Sequence, residues 1–152
     1  MGLKTIIQRV TRASVSVDGE LVASIGAGVL ALVGVERGDG LADAQATARK
    51  LASLRMFPGT KPMDRCLTEV GGAALVISQF TLAGSLRKGR RPSFDRAEDP
   101  QLAEPLYLAV AQLLREHGIP TQTGQFAANM QVELVNDGPV TLMIFTDAGA
   151  IV

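Results

Sequence analysis

The sequence predicts an α/β fold: mixed, largely antiparallel β-sheets stacked on each other, with helices on one outer face. Three observations carry this. Most of the chain reads as alternating or continuous apolar runs of strand length, and only two stretches change to helical spacing. Turn signals stand near both ends, Asp18-Gly19 and Asn136-Asp137-Gly138, and imply antiparallel pairing. Two helices cover only part of so many strands, so stacked sheets with the helices outside form the economical layering, α/β/β.

In chain order, "KTIIQRV" and "ASVSV" read as strands, the second with Ala13, Val15 and Val17 alternating against polar residues. Asp18-Gly19 turns the chain into "ELVASI". "GVLALVGVE" is continuously apolar and suits a strand buried on both faces. Leu41, Ala44, Ala48, Leu51 and Leu54 then recur at helical spacing, with Asp39 as the expected cap. "FPGTKPMDRC" is a loop, "AALVISQFTL" a strand, and "AGSLRKGRRPSFDRAED" a polar, basic loop. A second helix is expected from about Asp99 to His117, with Leu102, Leu106, Val110, Leu113 and Leu114 on its apolar side. Asp99-Pro100 suits its start and Gly118 its exit, while Pro105 should kink it or delay its start. "MQVELV" and "VTLMIF" read as two closing strands around a turn at Val135–Thr141.

The composition excludes whole classes of chemistry. With 152 residues, 47% apolar and 20% charged, the chain suits one domain spanning 1–152 with a proper core. Lys plus Arg and Asp plus Glu are 15 each, so an RNA partner would need a local basic patch. Cys66 and His117 are the only residues of their kind. That removes an internal disulfide, most zinc sites and any Ser-His-Asp or Cys-His triad built from one chain. Neither a metal nor a cofactor is expected. The start has no signal-peptide pattern and no stretch is long and apolar enough to span a bilayer, so a soluble cytoplasmic protein is expected.

Three motifs remain. "SQFTL" brings Ser78, Gln79, Phe80 and Thr81 to a strand end, where polar side chains and backbone N–H groups meet one flat apolar wall; an ordinary exposed strand end fits it as well. "RKGRRPSF" puts Arg87, Lys88, Arg90 and Arg91 around one glycine before Phe94; phosphate contact and a solvated basic loop are both open. In "VNDGPVT" the turn residues leave Pro139 unexplained, and an X-Pro bond is where a cis peptide costs least.

Together these segments resemble the D-aminoacyl-tRNA deacylase (DTD) family. The similarity runs nearly end to end through "IIQRVTRASVSVDGE", "VISQFTL", "RRPSF" and "TQTGQFAANMQVELVNDGPVT". The chain departs from many relatives at Met63-Asp64, Ser85-Leu86 and Pro105. The resemblance implies a homodimer that hydrolyses the ester of D-aminoacyl-tRNA at a pocket formed between subunits. It implies that Gly138 and Pro139 enter the partner's pocket and hold the substrate amino group with main-chain carbonyls. Arg9 would support that unit. Ser78, Gln79, Phe80 and Thr81 would line the ester, and Phe94 and Met130 the rest of the pocket. Since no base accompanies Thr81, substrate-assisted hydrolysis with backbone oxyanion stabilisation is expected, and glycyl-tRNA as a further substrate. The competing readings are a Thr81-dependent esterase or amidase on small D-amino-acid derivatives, and a non-catalytic tRNA- or DNA-binding module.

Overall fold

A computed structural model describes residues 2–152. The strands are β1 (Lys4–Val17), β2 (Glu20–Ile25), β3 (Gly28–Gly34), β4 (Ala73–Ser78), β5 (Thr121–Thr123), β6 (Gln131–Asp147) and β7 (Ala150–Ile151). The helices are α1 (Leu41–Ser53), α2 (Leu67–Val70) and α3 (Pro100–Glu116), with a 3-10 turn at Phe80–Ala83. Hydrogen bonding joins the strands in the order β5-β4-β3-β1-β6-β7, with β2 also on β1. β3, β4 and β5 are parallel and every other pair is antiparallel. Parallel neighbours need long crossovers, and α1 and α3 lie in those two crossovers.

The α/β class holds, and the stacking arises within one hydrogen-bonded sheet. β1 is a single strand where two were expected. Its Leu3-flanked first half contributes Ile7 to the helix-side core, with Val29, Ala31, Val33, Ala74 and Val76. Its second half contributes Val10, Ala13 and Val15 to a core on the other side, with Ala23, Ile25, Leu30, Leu75 and Ile77. β2 follows that second half and packs over β4 and β5, where the Ser24 N–H donates to Gln122 Oε1 at 2.9 Å. β3 and β4 are therefore covered on both faces, which is why their sequences are continuously apolar.

The helices differ from expectation in detail. Gly40, not Asp39, occupies the cap of α1, and its N–H donates to Asp43 Oδ2 at 3.0 Å. Asp39 instead accepts from the Glu36 N–H at 2.7 Å, inside the turn that precedes the helix. α3 starts at Pro100 as expected and runs through Pro105, whose ring lies on the exposed side. The buried stripe of α3 is Ala103, Tyr107, Val110, Ala111 and Leu114, so Leu102 faces solvent. Val110 and Leu114 are buried and Leu106 and Leu113 pack against the core as expected, so of the five named residues only Leu102 is misplaced. No helix among the described residues is long and apolar enough to cross a membrane.

Burial raises the Asp39 carboxyl from 3.8 to about 6; the bond from Glu36 N–H opposes this, while the Asp43 and Glu36 carboxylates add to it. Because the folded value lies above the unfolded one, the proton bound by Asp39 stabilises the fold fully below about pH 4. That contribution is lost as pH rises through about 6. Urea unfolding of Asp39→Asn against the parent should show the parent losing relative stability between those pH values. A constant difference across that range would contradict the assignment.

Candidate active site

β4 ends at Ser78, and the chain turns at once into the 3-10 turn because Gln79 leaves the strand conformation. The Gln79 N–H donates to Val33 O at 2.8 Å, which ties this corner to β3. The next two N–H groups, of Phe80 and Thr81, find no acceptor among the described residues. They are the orphan donors of a helix start and point out of secondary structure.

Beside this corner is a cavity of about 600 Å³. Ser78, Gln79, Phe80, Phe94 and Met130 all line it, brought together from three separate segments. Phe80 and Phe94 meet edge to face with ring centres 5.2 Å apart. Gly84 makes room for this, since a Cβ there would lie 3.0 Å from the Phe94 ring. A further wall is the segment 126–130, which leads on from Gly124. Tyr107, buried in α3, holds it by donating to Gly124 O at 3.4 Å and by lying 6.0 Å from the Phe126 ring. Sequence reasoning missed Phe126, Asn129 and Glu98, which also line the cavity. Glu98 is the one ionisable side chain in that lining. It arrives there because its N–H pairs with Val35 O at 3.1 Å, a long-range contact with no local signal.

Thr81 is placed differently. It is exposed, and its hydroxyl accepts from Gln79 Nε2 rather than facing the cavity lining. No carboxylate or imidazole bonds to it among the described residues, so nothing there activates it as a nucleophile. No group of three His, Cys, Asp or Glu side chains among the described residues is disposed to hold a metal.

The stretch Val135–Thr141 corrects the expectation of a turn. β6 pairs with β1 on both sides of it, Thr141 opposite Gln8 and Asn136 opposite Val10. The chain does not reverse: Asp137, Gly138 and Pro139 are extra residues that bulge from one continuous strand. Gly, Asn and Asp serve bulges as well as hairpins, so composition does not separate the two. The Gly138-Pro139 peptide is cis, and both residues are exposed. Neither lines the cavity of its own chain.

Side chains brace the bulge at both ends. Arg9 donates from Nε to Asp137 O at 3.0 Å and from Nη1 to Met56 O at 2.8 Å. Asn136 Oδ1 accepts from Val140 N–H at 3.1 Å, and Asn136 Nδ2 donates to Thr141 Oγ1 at 3.1 Å. Gly138 has φ +128, and a Cβ there would sit 2.9 Å from both Arg9 Nη2 and Val140 Cγ2. Only glycine fits that position.

The basic loop is a small closed unit. Ser85 and Ser93 exchange main-chain hydrogen bonds at 2.7 and 2.9 Å, and Gly89, with φ +66, makes its tip. Arg87, Lys88, Arg90 and Arg91 are all exposed on it and stand outside the apolar cavity.

A family model described as D-Tyr-tRNA(Tyr) deacylase matches residues 6–145. The chain is 52% identical over 143 residues to a D-aminoacyl-tRNA deacylase of Anaeromyxobacter dehalogenans, covering 93% of this chain and 96% of that one. It is 54% identical over 143 residues to a D-aminoacyl-tRNA deacylase of Thermomicrobium roseum, covering 93% of both. Among solved structures it is similar to a c-Myc DNA unwinding element binding protein, with TM-score 0.88, 35% identity, and 95% and 99% of the two chains covered. It also shares its fold with a probable eukaryotic D-amino acid tRNA deacylase, with TM-score 0.80 at 16% identity over 94% and 98% of the chains.

Arg9→Met keeps the apolar stem and removes both carbonyl contacts. Amide exchange at Val140 and Thr141 should then accelerate by about tenfold or more, equivalent to losing roughly 1.5–3 kcal/mol of charge-assisted bonding. Exchange in β4 should stay as it was. Equal acceleration in both places would mean that Arg9 supports the sheet in general and not the bulge.

Proposed function

The chain belongs to the D-Tyr-tRNA(Tyr) deacylase family, whose members are hydrolases, and we propose that it clears D-amino acids and glycine from tRNA at a pocket completed by a second subunit. The observation that carries this reading is a braced, exposed Gly138-Pro139 unit that its own chain does not use. Val132, Val135, Leu142 and Met143 remain exposed along the same strand, on both of its faces, and a second subunit docked at a two-fold contact covers part of them. In such a homodimer each bulge enters the other subunit's cavity. The Gly138 and Pro139 carbonyls accept hydrogen bonds from the substrate ammonium. The terminal adenosine and its ester lie along Phe80, Phe94 and Met130, with Ser78 and Gln79 beside the reacting carbonyl.

Water then adds to the ester carbon, and the free N–H groups of Phe80 and Thr81 stabilise the oxyanion. The bond from the acyl carbon to the ribose oxygen breaks, and that oxygen leaves with the proton taken from water. The neighbouring ribose hydroxyl assists this transfer, because no protein base stands beside Thr81. Fixing the ammonium fixes the direction of the α-substituent. An L side chain strikes the carbonyl unit, a D side chain points away, and glycine has nothing to strike. Arg87, Lys88, Arg90 and Arg91 meet the RNA backbone, and the enzyme works in the cytoplasm, where tRNA is charged.

Two outcomes are expected. A panel of aminoacyl-tRNAs should show D-aminoacyl and glycyl esters cleaved with little regard to side chain, and L-aminoacyl esters spared. Cleavage of one D-amino acid alone would contradict capture through the ammonium. A tRNA ending in 2′-deoxyadenosine should be cleaved at least about a hundredfold more slowly, while Thr81→Ala stays within about tenfold of the parent. Full activity on the deoxy substrate with an inactive Thr81→Ala would establish a protein nucleophile instead.

A further inference from the structure

A second cavity, of about 350 Å³, lies behind the wall of the first. The wall is one strand-like pairing, in which Glu36 faces Ala97 and Arg37 N–H donates to Arg96 O at 2.9 Å. Successive residues in extended chain point to opposite sides. Along the first segment Val35 lines the apolar cavity and Glu36 the second one, and along the facing segment Ala97 lines the apolar cavity and Arg96 the second one. Its remaining walls include Lys4, Arg87, and the Gly84 and Ser85 backbone that leads out of the 3-10 turn.

The charge in this second cavity is unusual for a chain with none overall. Three cations, Lys4, Arg87 and Arg96, line it together with one carboxylate, Glu36. Glu36 is 1% exposed, with Lys4 Nζ 2.8 Å from Oε1 and Arg96 Nε 3.1 Å from Oε2. It therefore aligns two cations that are far apart in the chain and neutralises only one charge. Among the described residues the terminal nitrogens of Arg96 and the whole Arg87 guanidinium make no hydrogen bond. Holding free cations together costs energy through mutual repulsion, and an anion between them reverses the sign.

We propose that this cavity is a phosphodiester subsite. Building on the deacylase reading, it takes a backbone phosphate of the RNA strand whose 3′ end occupies the apolar cavity. Glu36 is a positioning residue: it touches no substrate and presents Lys4 and Arg96. Arg87 closes over the phosphate from the basic loop. The strand thus crosses a wall one residue thick, with its ester on the apolar side and its charge on the cationic side.

The test compares D-aminoacyl-tRNA with D-aminoacyl-adenosine, which carries no phosphate, and also measures binding of uncharged tRNA. Arg87→Gln leaves both Glu36 pairs in place. It should raise KM for the tRNA and Kd for uncharged tRNA about tenfold, as expected for one charge-assisted contact, with kcat within about twofold. KM for the adenosine ester should move less than about twofold, and Lys4→Gln should repeat the pattern. The shift should exceed that of Arg90→Gln, whose side chain lies outside the cavity. Equal shifts for Arg87 and Arg90 would show a diffuse basic field and overturn the subsite. So would equal losses on both esters, or inhibition by inorganic phosphate with tRNA binding unchanged in the variants, which would mark a site for the free anion. If neither ester is cleaved but Arg87→Gln still weakens tRNA binding, the subsite stands and the deacylase chemistry fails.

Discussion

The Arg9 guanidinium joins three segments that are far apart in the chain. From the middle of β1 it reaches Met56 after α1 and Asp137 in β6, donating to a main-chain carbonyl at each. It is only 9% exposed, so those contacts replace water around a full charge. Removing one acceptor would leave a buried cation under-paired, which makes the arrangement cooperative rather than a sum of weak bonds. A lysine would not substitute, because a point charge cannot serve two directions with a rigid fork. The register of β1 against β6 shifts between Gln8 and Val10, the step that contains Arg9, so the bulge and the residue that braces it occur at one break in the ladder. Gly138 is then required where its α-carbon faces that same guanidinium.

Much of this was legible in the chain, and the failures have physical causes. The α/β class, the two main helices and the apolar β3 and β4 follow from periodicity and burial. Ser78, Gln79, Phe80, Phe94 and Met130 stand out as residues and the fold places them around one cavity, while Thr81 of the same motif stays outside its lining. Register is another matter. A bulge and a hairpin use the same residues, so Val135–Thr141 reads as a turn until β1 is seen on both sides of it. The exposed face of Leu102 is set by tertiary packing of Ala103 and Ala111, which carry little hydrophobic signal of their own. Glu98 and Glu36 were invisible because partners distant in the chain define their surroundings, Val35 for Glu98 and Lys4 and Arg96 for Glu36.

The wall between the two cavities shows how little structure is needed to separate two kinds of chemistry. A single short pairing, Glu36 against Ala97, stands between an apolar lining and a charged one. Under the proposed function the apolar cavity would strengthen hydrogen bonds to a reacting carbonyl by excluding water, while the charged one would attract the polyanion that carries it. Because the chain is neutral overall, the excess of cations is local to this edge, and under the proposed function it would suit brief contact with many RNA molecules better than tight retention.

The central claim is that Gly138 and Pro139 complete the cavity of another subunit. Complementation tests it directly. Gly138→Ala damages the bulge, and Phe80→Ala damages the cavity; each variant alone should be inactive. Mixed by unfolding and refolding together, they should form dimers of which half are heterodimers with one intact site in two, giving about a quarter of parental activity. Native mass spectrometry counts the heterodimers. Heterodimers present with activity still absent would place both elements in the same subunit's site and contradict the claim.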